Sequence, residues 1–306
     1  MKLTRLMLPV LVLAALGTGC GSDSDTATGD SSSTAGSCPT EPVSVVVTVD
    51  QWGDIVEQLG GDCAEVTTVI KGSSADPHDY EPTPADTAKF DDAQLVVVNG
   101  LDYDHWAEKA VDNLDSEPAV VDGGKVVGLE EGDNPHIWYG PDYVRQISTA
   151  VTSELKELAP DAAAYFDEQQ TAWQTSMKPY DDVITRITAV AADKTFAASE
   201  PVFDYMADAL GLTNGTPKGY QDAALNESDP SPADIAEFEQ SLRDDKIDVL
   251  VYNTQTEGPT PEQIRGVADD AEVPVVDVTE TVPQRTTSFV TWQVDQLTAL
   301  ATALGA

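Results

Sequence analysis

Histidine is scarce in this chain: three residues among 306, at positions 78, 105 and 136. Cysteine is as scarce, at 20, 38 and 63, which excludes a structural zinc site built on four thiolates. Basic residues number 16 against 54 acidic ones, a formal charge of −38. A surface of that sign repels phosphate backbones, so nucleic acid is excluded as a partner. Neither HExxH nor GxSxG occurs, which removes the sequence signatures of zincin proteases and of serine hydrolases. No internal repeat is apparent. The apolar run at 6–16 contains Pro9 and is too short to span a bilayer.

That run follows Lys2 and Arg5 and ends in LGTGC, so it reads as a targeting segment and not as fold. It resembles a bacterial lipoprotein signal, which implies cleavage before Cys20 and a lipid anchor on that residue. Gly17 stands where the usual pattern has Leu, so a simple secretory signal is the alternative. Either way the mature chain is extracytoplasmic. Residues 1–20 are the signal, and the Ser, Thr, Gly and Asp of 21–40 form a tether with little to bury. With Cys20 lipidated, Cys38 and Cys63 remain as a disulfide in an oxidising compartment. Each precedes an expected strand, and the starts of neighbouring parallel strands lie close enough to bridge.

The mature chain alternates strands and helices. Residues 43–49, 65–70 and 94–99 are near-continuous β-branched or apolar runs, the mark of strands buried on both faces. Helical spacing fills 51–59 and 103–114, and a short strand follows at 119–121. After a polar loop at 122–134, a helix runs to about residue 158. The pattern resumes with strands at 195–199, 248–252 and 273–278, and helices at 201–210, 231–245, 261–271 and 288–304. Residues 212–229 read as irregular. The fold class is therefore α/β: two lobes, each a mostly parallel sheet flanked by helices. The first lobe covers 41–160 and the second 193–306. Between them, 161–192 carries helical spacing over about 45 Å. Pro179 should kink it or divide it into two helices.

Two histidines share a setting. His78 lies in DPHDYEPTPAD and His136 in NPHIWYGPDYV, both on Pro-preceded loops outside regular elements. His105, beside Asp102 and Asp104, reads as a solvated helix residue. On its own His78 is an ordinary loop histidine. A metal site must draw its other ligands from carboxylates, and Glu200 and Glu280 each follow a strand of the second lobe. Carboxyl ends of strands from two lobes would face one cleft. Two imidazoles and two carboxylates favour harder ions, Mn2+ or Fe2+, although intrinsic affinity favours Zn2+ over Mn2+. Trp138, Tyr252 and Asn253 are candidates to line that cleft or to support the ligands.

The two histidine motifs, in order along a chain of this pattern, resemble those of substrate-binding lipoproteins from zinc- and manganese-type ABC importers. The resemblance extends to the cell-adhesion family of such lipoproteins. The resemblance runs from Val43 to the end of the chain. It implies two α/β lobes joined by one long, fairly rigid helix, with the metal between them. Residue by residue it implies His78, His136 and Glu200 as ligands, Glu at the third position being common in manganese importers. The fourth ligand is usually Asp. Here VVDVTETVP places Glu280 there, with Asp277 as the alternative. The loop at 122–134 lacks the His-rich stretch of many zinc importers, so Mn2+ comes first, then Zn2+ or Fe2+. The implied partners are a permease with its ATPase, and the membrane through a lipid anchor only. A monomer with no catalytic activity is expected. The competing readings are a secreted metal-dependent hydrolase, which needs an open coordination position, and a surface adhesion protein with a structural metal.

Overall fold

The computed structural model describes residues 37–72, 77–78, 80–226, 228–256, 258–286 and 288–306. The expected signal segment, Cys20 and the tether up to residue 36 lie outside the described residues, as do Asp76 and Asp79 of the first histidine motif.

Four strands form the first sheet: β1 (Val43–Val49), β2 (Ala64–Ile70), β3 (Leu95–Val98) and β4 (Ala119–Asp122), all parallel, in the order β2-β1-β3-β4. Val45 of β1 stands opposite Val66 and Leu95, which fixes the register. All four residues of β3 are buried, as the unbroken LVVV run requires of a central strand covered on both faces. The helices of this half are α1 (Asp50–Gly60), α2 (Pro84–Thr87), α3 (His105–Asp112), α4 (Gly123–Val127) and α5 (Pro141–Leu158). Thr83 caps α2 in a reciprocal box with Asp86, and Pro84 occupies its first turn.

The expected long helix is two: α6 (Ala163–Ser176) and α7 (Lys178–Thr188). Pro179 has no N–H to give the preceding turn, and the helix divides at Met177. Met177 N–H still reaches the Trp173 carbonyl, and Asp181 N–H the Met177 carbonyl, so the two segments abut. The second sheet is also parallel, with β5 (Thr195–Ala198), β6 (Thr213–Asn214), β7 (Val249–Asn253) and β8 (Val275–Val278) in the order β6-β5-β7-β8. Its helices are α8 (Asp204–Leu210), α9 (Lys218–Leu225), α10 (Pro232–Arg243), α11 (Pro259–Asp270) and α12 (Phe289–Leu304). Two stretches read as irregular are corrected here. The polar loop 122–134 contains α4, capped by the Asp122 carboxylate on Lys125 N–H, and 212–229 contains β6 and α9.

The pairing of Cys38 with Cys63 is present, and it ties the segment before β1 to the start of β2. Buried side chains of the first sheet, of α5 to α8 and of the inner part of the second sheet form one continuous apolar cluster. A second, smaller cluster fills the space under α10 and α11. The two sheets are thus parts of one packed body.

Candidate functional site

Each of the four expected ligands follows the carboxyl end of a strand or opens a helix, as the topology of parallel sheets demands. His78 sits on the loop after β2, and His136 just before a 3-10 turn at Ile137–Tyr139 that leads into α5. Glu200 follows β5 and Glu280 follows β8. All four line one cavity of about 410 Å3.

Three of them converge closely. One donor atom from each of His78, His136 and Glu280 lies within 4.8 Å of the others. His78 Nε2 is 3.9 Å and His136 Nε2 3.8 Å from Glu280 Oε1. Metal–ligand bonds of about 2.1 Å place two donors at most ~4.2 Å apart, so one ion requires a contraction of under about 1 Å. Glu200 shares the cavity but not this tight group, and its Oε2 accepts from Asn253 Nδ2 at 2.6 Å.

The orientation of His136 follows from its neighbour in the NPH motif. Asn134 Nδ2 donates to the Pro201 carbonyl at 2.6 Å, which leaves Oδ1 as the acceptor. That oxygen lies 2.6 Å from His136 Nδ1 and also accepts His136 N–H at 3.0 Å. Nδ1 therefore carries a proton in either charge state, and Nε2 faces Glu280, as a donor when the ring is cationic and with its lone pair free for a metal when the ring is neutral. Behind the ring, Trp138 packs at 5.2 Å between centroids and is fully buried.

The NPH loop is in turn fixed by Asn99. Its Oδ1 accepts from Trp52 Nε1 at 3.1 Å, and its Nδ2 donates to the Pro135 carbonyl at 3.0 Å. The turn after Asn99 passes through three left-handed residues, Gly100, Leu101 and Asp102. Asp104 closes it, accepting the N–H groups of Asn99 and Gly100 at 2.7 and 2.9 Å. A side chain at Gly100 would collide with the Asp122 carboxylate.

The two glutamates titrate in opposite directions. Burial raises the carboxyl of Glu200, and the charge of Glu280 adds to it, against the nearby Thr256 hydroxyl and the hydrogen bond from Asn253. Burial also pushes Glu280 up, but His136, the Tyr103 hydroxyl and His78 carry it below its ordinary value. A divalent cation between them would relieve both the burial and the repulsion.

Among the supporting residues proposed from sequence, Asn253 holds Glu200 and Trp138 backs His136. Tyr252 and Asp277 do neither. Asp277 lies on the exposed face of β8 with its carboxylate 2.7 Å from Arg265 Nη1, and the same guanidinium covers the Tyr252 ring at 4.7 Å. Strand alternation explains this: residues two apart share a face, and Asp277 is out of phase with the buried Val276 and Val278. His105 stands on α3, its Nδ1 3.7 Å from Asp102, outside the cavity. Sequence reasoning missed Tyr103, whose hydroxyl donates to Glu280 Oε1 at 2.8 Å and whose ring meets His78 edge-on at 4.6 Å. It also missed Gln51, which donates to the Tyr103 oxygen at 2.9 Å. Neither carries a local signal, since both are reached only through tertiary packing.

A family model, that of the periplasmic zinc-uptake complex component A, ZnuA, matches residues 45–303. The manganese-binding lipoprotein MntA of Halalkalibacterium halodurans is 26% identical over 210 residues, 66% of each chain. The high-affinity zinc uptake system protein ZnuA of Bacillus subtilis is 25% identical over 244 residues, 72% of this chain and 75% of its own. Among solved structures, a metal-free periplasmic metal binding protein from Candidatus Liberibacter asiaticus superimposes with a TM-score of 0.73 at 19% identity. The superposition covers 86% of this chain and 99% of that one, a likeness of fold.

Proposed function

This chain belongs to the ZnuA family of periplasmic zinc-uptake components, and from that premise we propose that it captures a divalent transition metal ion outside the cytoplasm and passes it to an ABC importer. The observation that carries the reading is the convergence of His78, His136 and Glu280 within 4.8 Å in a cavity that Glu200 also lines. Those four residues are the ligands in this reading. Two imidazole nitrogens and two carboxylates favour Mn2+, then Zn2+ or Fe2+. The relatives' names, one for manganese and one for zinc, bracket the same choice.

The lobes of the receptor are residues 41–160 and 193–306, with 161–192 between them. The partners are a permease and its ATPase; Cys20 carries the lipid anchor, and the receptor acts as a monomer. No open coordination position is needed, because the ion is cargo and not a reagent. Metal and protons compete for the same lone pairs, so affinity falls on acidification.

Competitive titration with Mn2+, Zn2+ and Fe2+ tests this on the parent and on Glu200→Ala and Glu280→Ala. The expected result is one site per chain, with affinity reduced at least tenfold in both variants. Parent-like binding by both would sink the ligand set.

A further inference from the structure

Glu280 belongs to the second sheet by chain order, since it follows β8. Its polar contacts point the other way. Gln51 of α1 is buried, and its Nε2 lies 3.3 Å from the Glu280 carbonyl oxygen while also bonding the Tyr103 hydroxyl. That hydroxyl donates to the Glu280 carboxylate. One turn further along α1, Asp54 Oδ2 accepts the Phe289 N–H at the start of α12, at 2.8 Å. One residue before Gln51, Asp50 accepts the N–H of Gly72, on the stretch leading to His78. Burial raises the Asp50 carboxyl, and the backbone N–H groups of Gly72 and Val282 partly oppose that rise. Gly72 is in the left-handed region, and a side chain there would meet the Val282 carbonyl at 3.5 Å. The chain before His78 and the chain after Glu280 therefore touch, and both are tied to the same helix.

We propose that α1 of the first lobe positions Glu280 through Gln51 and Asp54, so that His78, His136 and Glu280 form a standing three-ligand half-site on the first lobe, which Glu200 alone completes from β5. Two arguments beyond the hydrogen bonds support it. The three donors already lie within 4.8 Å of one another, while Glu200 is occupied with Asn253. And α1 is among the most firmly seated elements, with Trp52, Ile55, Val56 and Leu59 in the core beneath it. Gln51 and Asp54 are positioning residues and touch no ion. Outer groups of this kind tune metal affinity by about 10–100-fold.

This inference rests on the metal-binding reading, and a double-mutant cycle separates the two. Mn2+ is titrated into the full chain, with free ion read by its electron paramagnetic resonance signal. Gln51→Ala and Asp54→Ala are each expected to raise the Mn2+ Kd 10–100-fold in the parent and in Glu200→Ala. In Glu280→Ala the same substitutions are expected to change the Kd less than twofold, because the residue they act through is gone. Asp54→Asn, which keeps an acceptor oxygen for Phe289 N–H, should restore parent-like affinity. Equal losses with and without Glu280, or no loss in the parent, would overturn the positioning role. A parent that binds no Mn2+ would instead overturn the reading on which it rests.

Discussion

Asn134 decides what His136 can offer a cation. Its amide orientation is set from outside, by the Pro201 carbonyl, and it passes that orientation to the imidazole by accepting a hydrogen bond from Nδ1–H. Without it the ring can flip or present a protonated Nε2 to Glu280. Asn134→Ala is therefore expected to weaken Mn2+ binding by about 10–100-fold while leaving one site per chain. Asn134→Asp keeps the acceptor and should lose less; equilibrium dialysis of both variants measures the difference. The residue is legible in the sequence only as part of NPH, where the histidine draws the attention. Tyr103 and Gln51 are not legible at all. They lie 25 and 27 positions from His78, and their roles depend on packing that no local pattern encodes. Glu280 was legible by position, because a strand end in a parallel sheet points at the ligand cleft. Asp277 stayed open as the alternative to it, and lies on the exposed face of β8, paired with Arg265.

At the scale of elements, strands with unbroken Val and Leu runs were readable because burial on both faces leaves few alternatives. β1 spans Val43–Val49 as expected, and β3 needed only its ends trimmed to Leu95–Val98. β6 was not readable: its two residues, Thr213 and Asn214, are exposed at a sheet edge and carry no apolar pattern. α4 was hidden by Gly123 and Gly124, poor helix formers that are needed because side chains there would strike Asn99 and Leu101. The disulfide between Cys38 and Cys63 anchors the segment entering β1 beside a fully buried position. It closes a loop with a sequence separation of 25, which the chain-entropy relation converts to about 3–4 kcal/mol. Cys38→Ser, which alters the partly buried partner, is expected to lower stability by roughly that amount. Urea unfolding of parent and variant, each with and without reductant, checks it: reductant should bring the parent to the variant's midpoint.

For the whole molecule, 54 carboxylates against 16 basic groups make stability a question of which acids the fold buries. Burial raises Asp104 and Asp204 to about 6 from an ordinary 3.8, and it raises Asp50, Asp54 and Glu200 as well. Asp204 also keeps a buried Oδ1 without a hydrogen-bond partner. A carboxyl whose folded value is raised holds its proton in the native state after the unfolded chain has released it. Such a group costs stability as pH climbs from the unfolded value to the folded one, at most about 3 kcal/mol for a rise of this size. Groups held low, such as Asp248 through Lys194 and Glu280 through His136, work in the other direction, and their stabilisation is lost only below about pH 4.5. The two sets act in different windows. Metal-free protein is therefore expected to be most stable near pH 5 and to lose about 2–4 kcal/mol by pH 7. Asp204→Asn, which retains an acceptor for Gln221, should flatten that decline. Saturating Mn2+ should offset it at pH 7, because the ion neutralises Glu200 and Glu280 and binds only the folded chain. Urea midpoints measured at half-unit intervals from pH 4.5 to 7 decide the matter, and a midpoint that rises steadily across that window would refute the account.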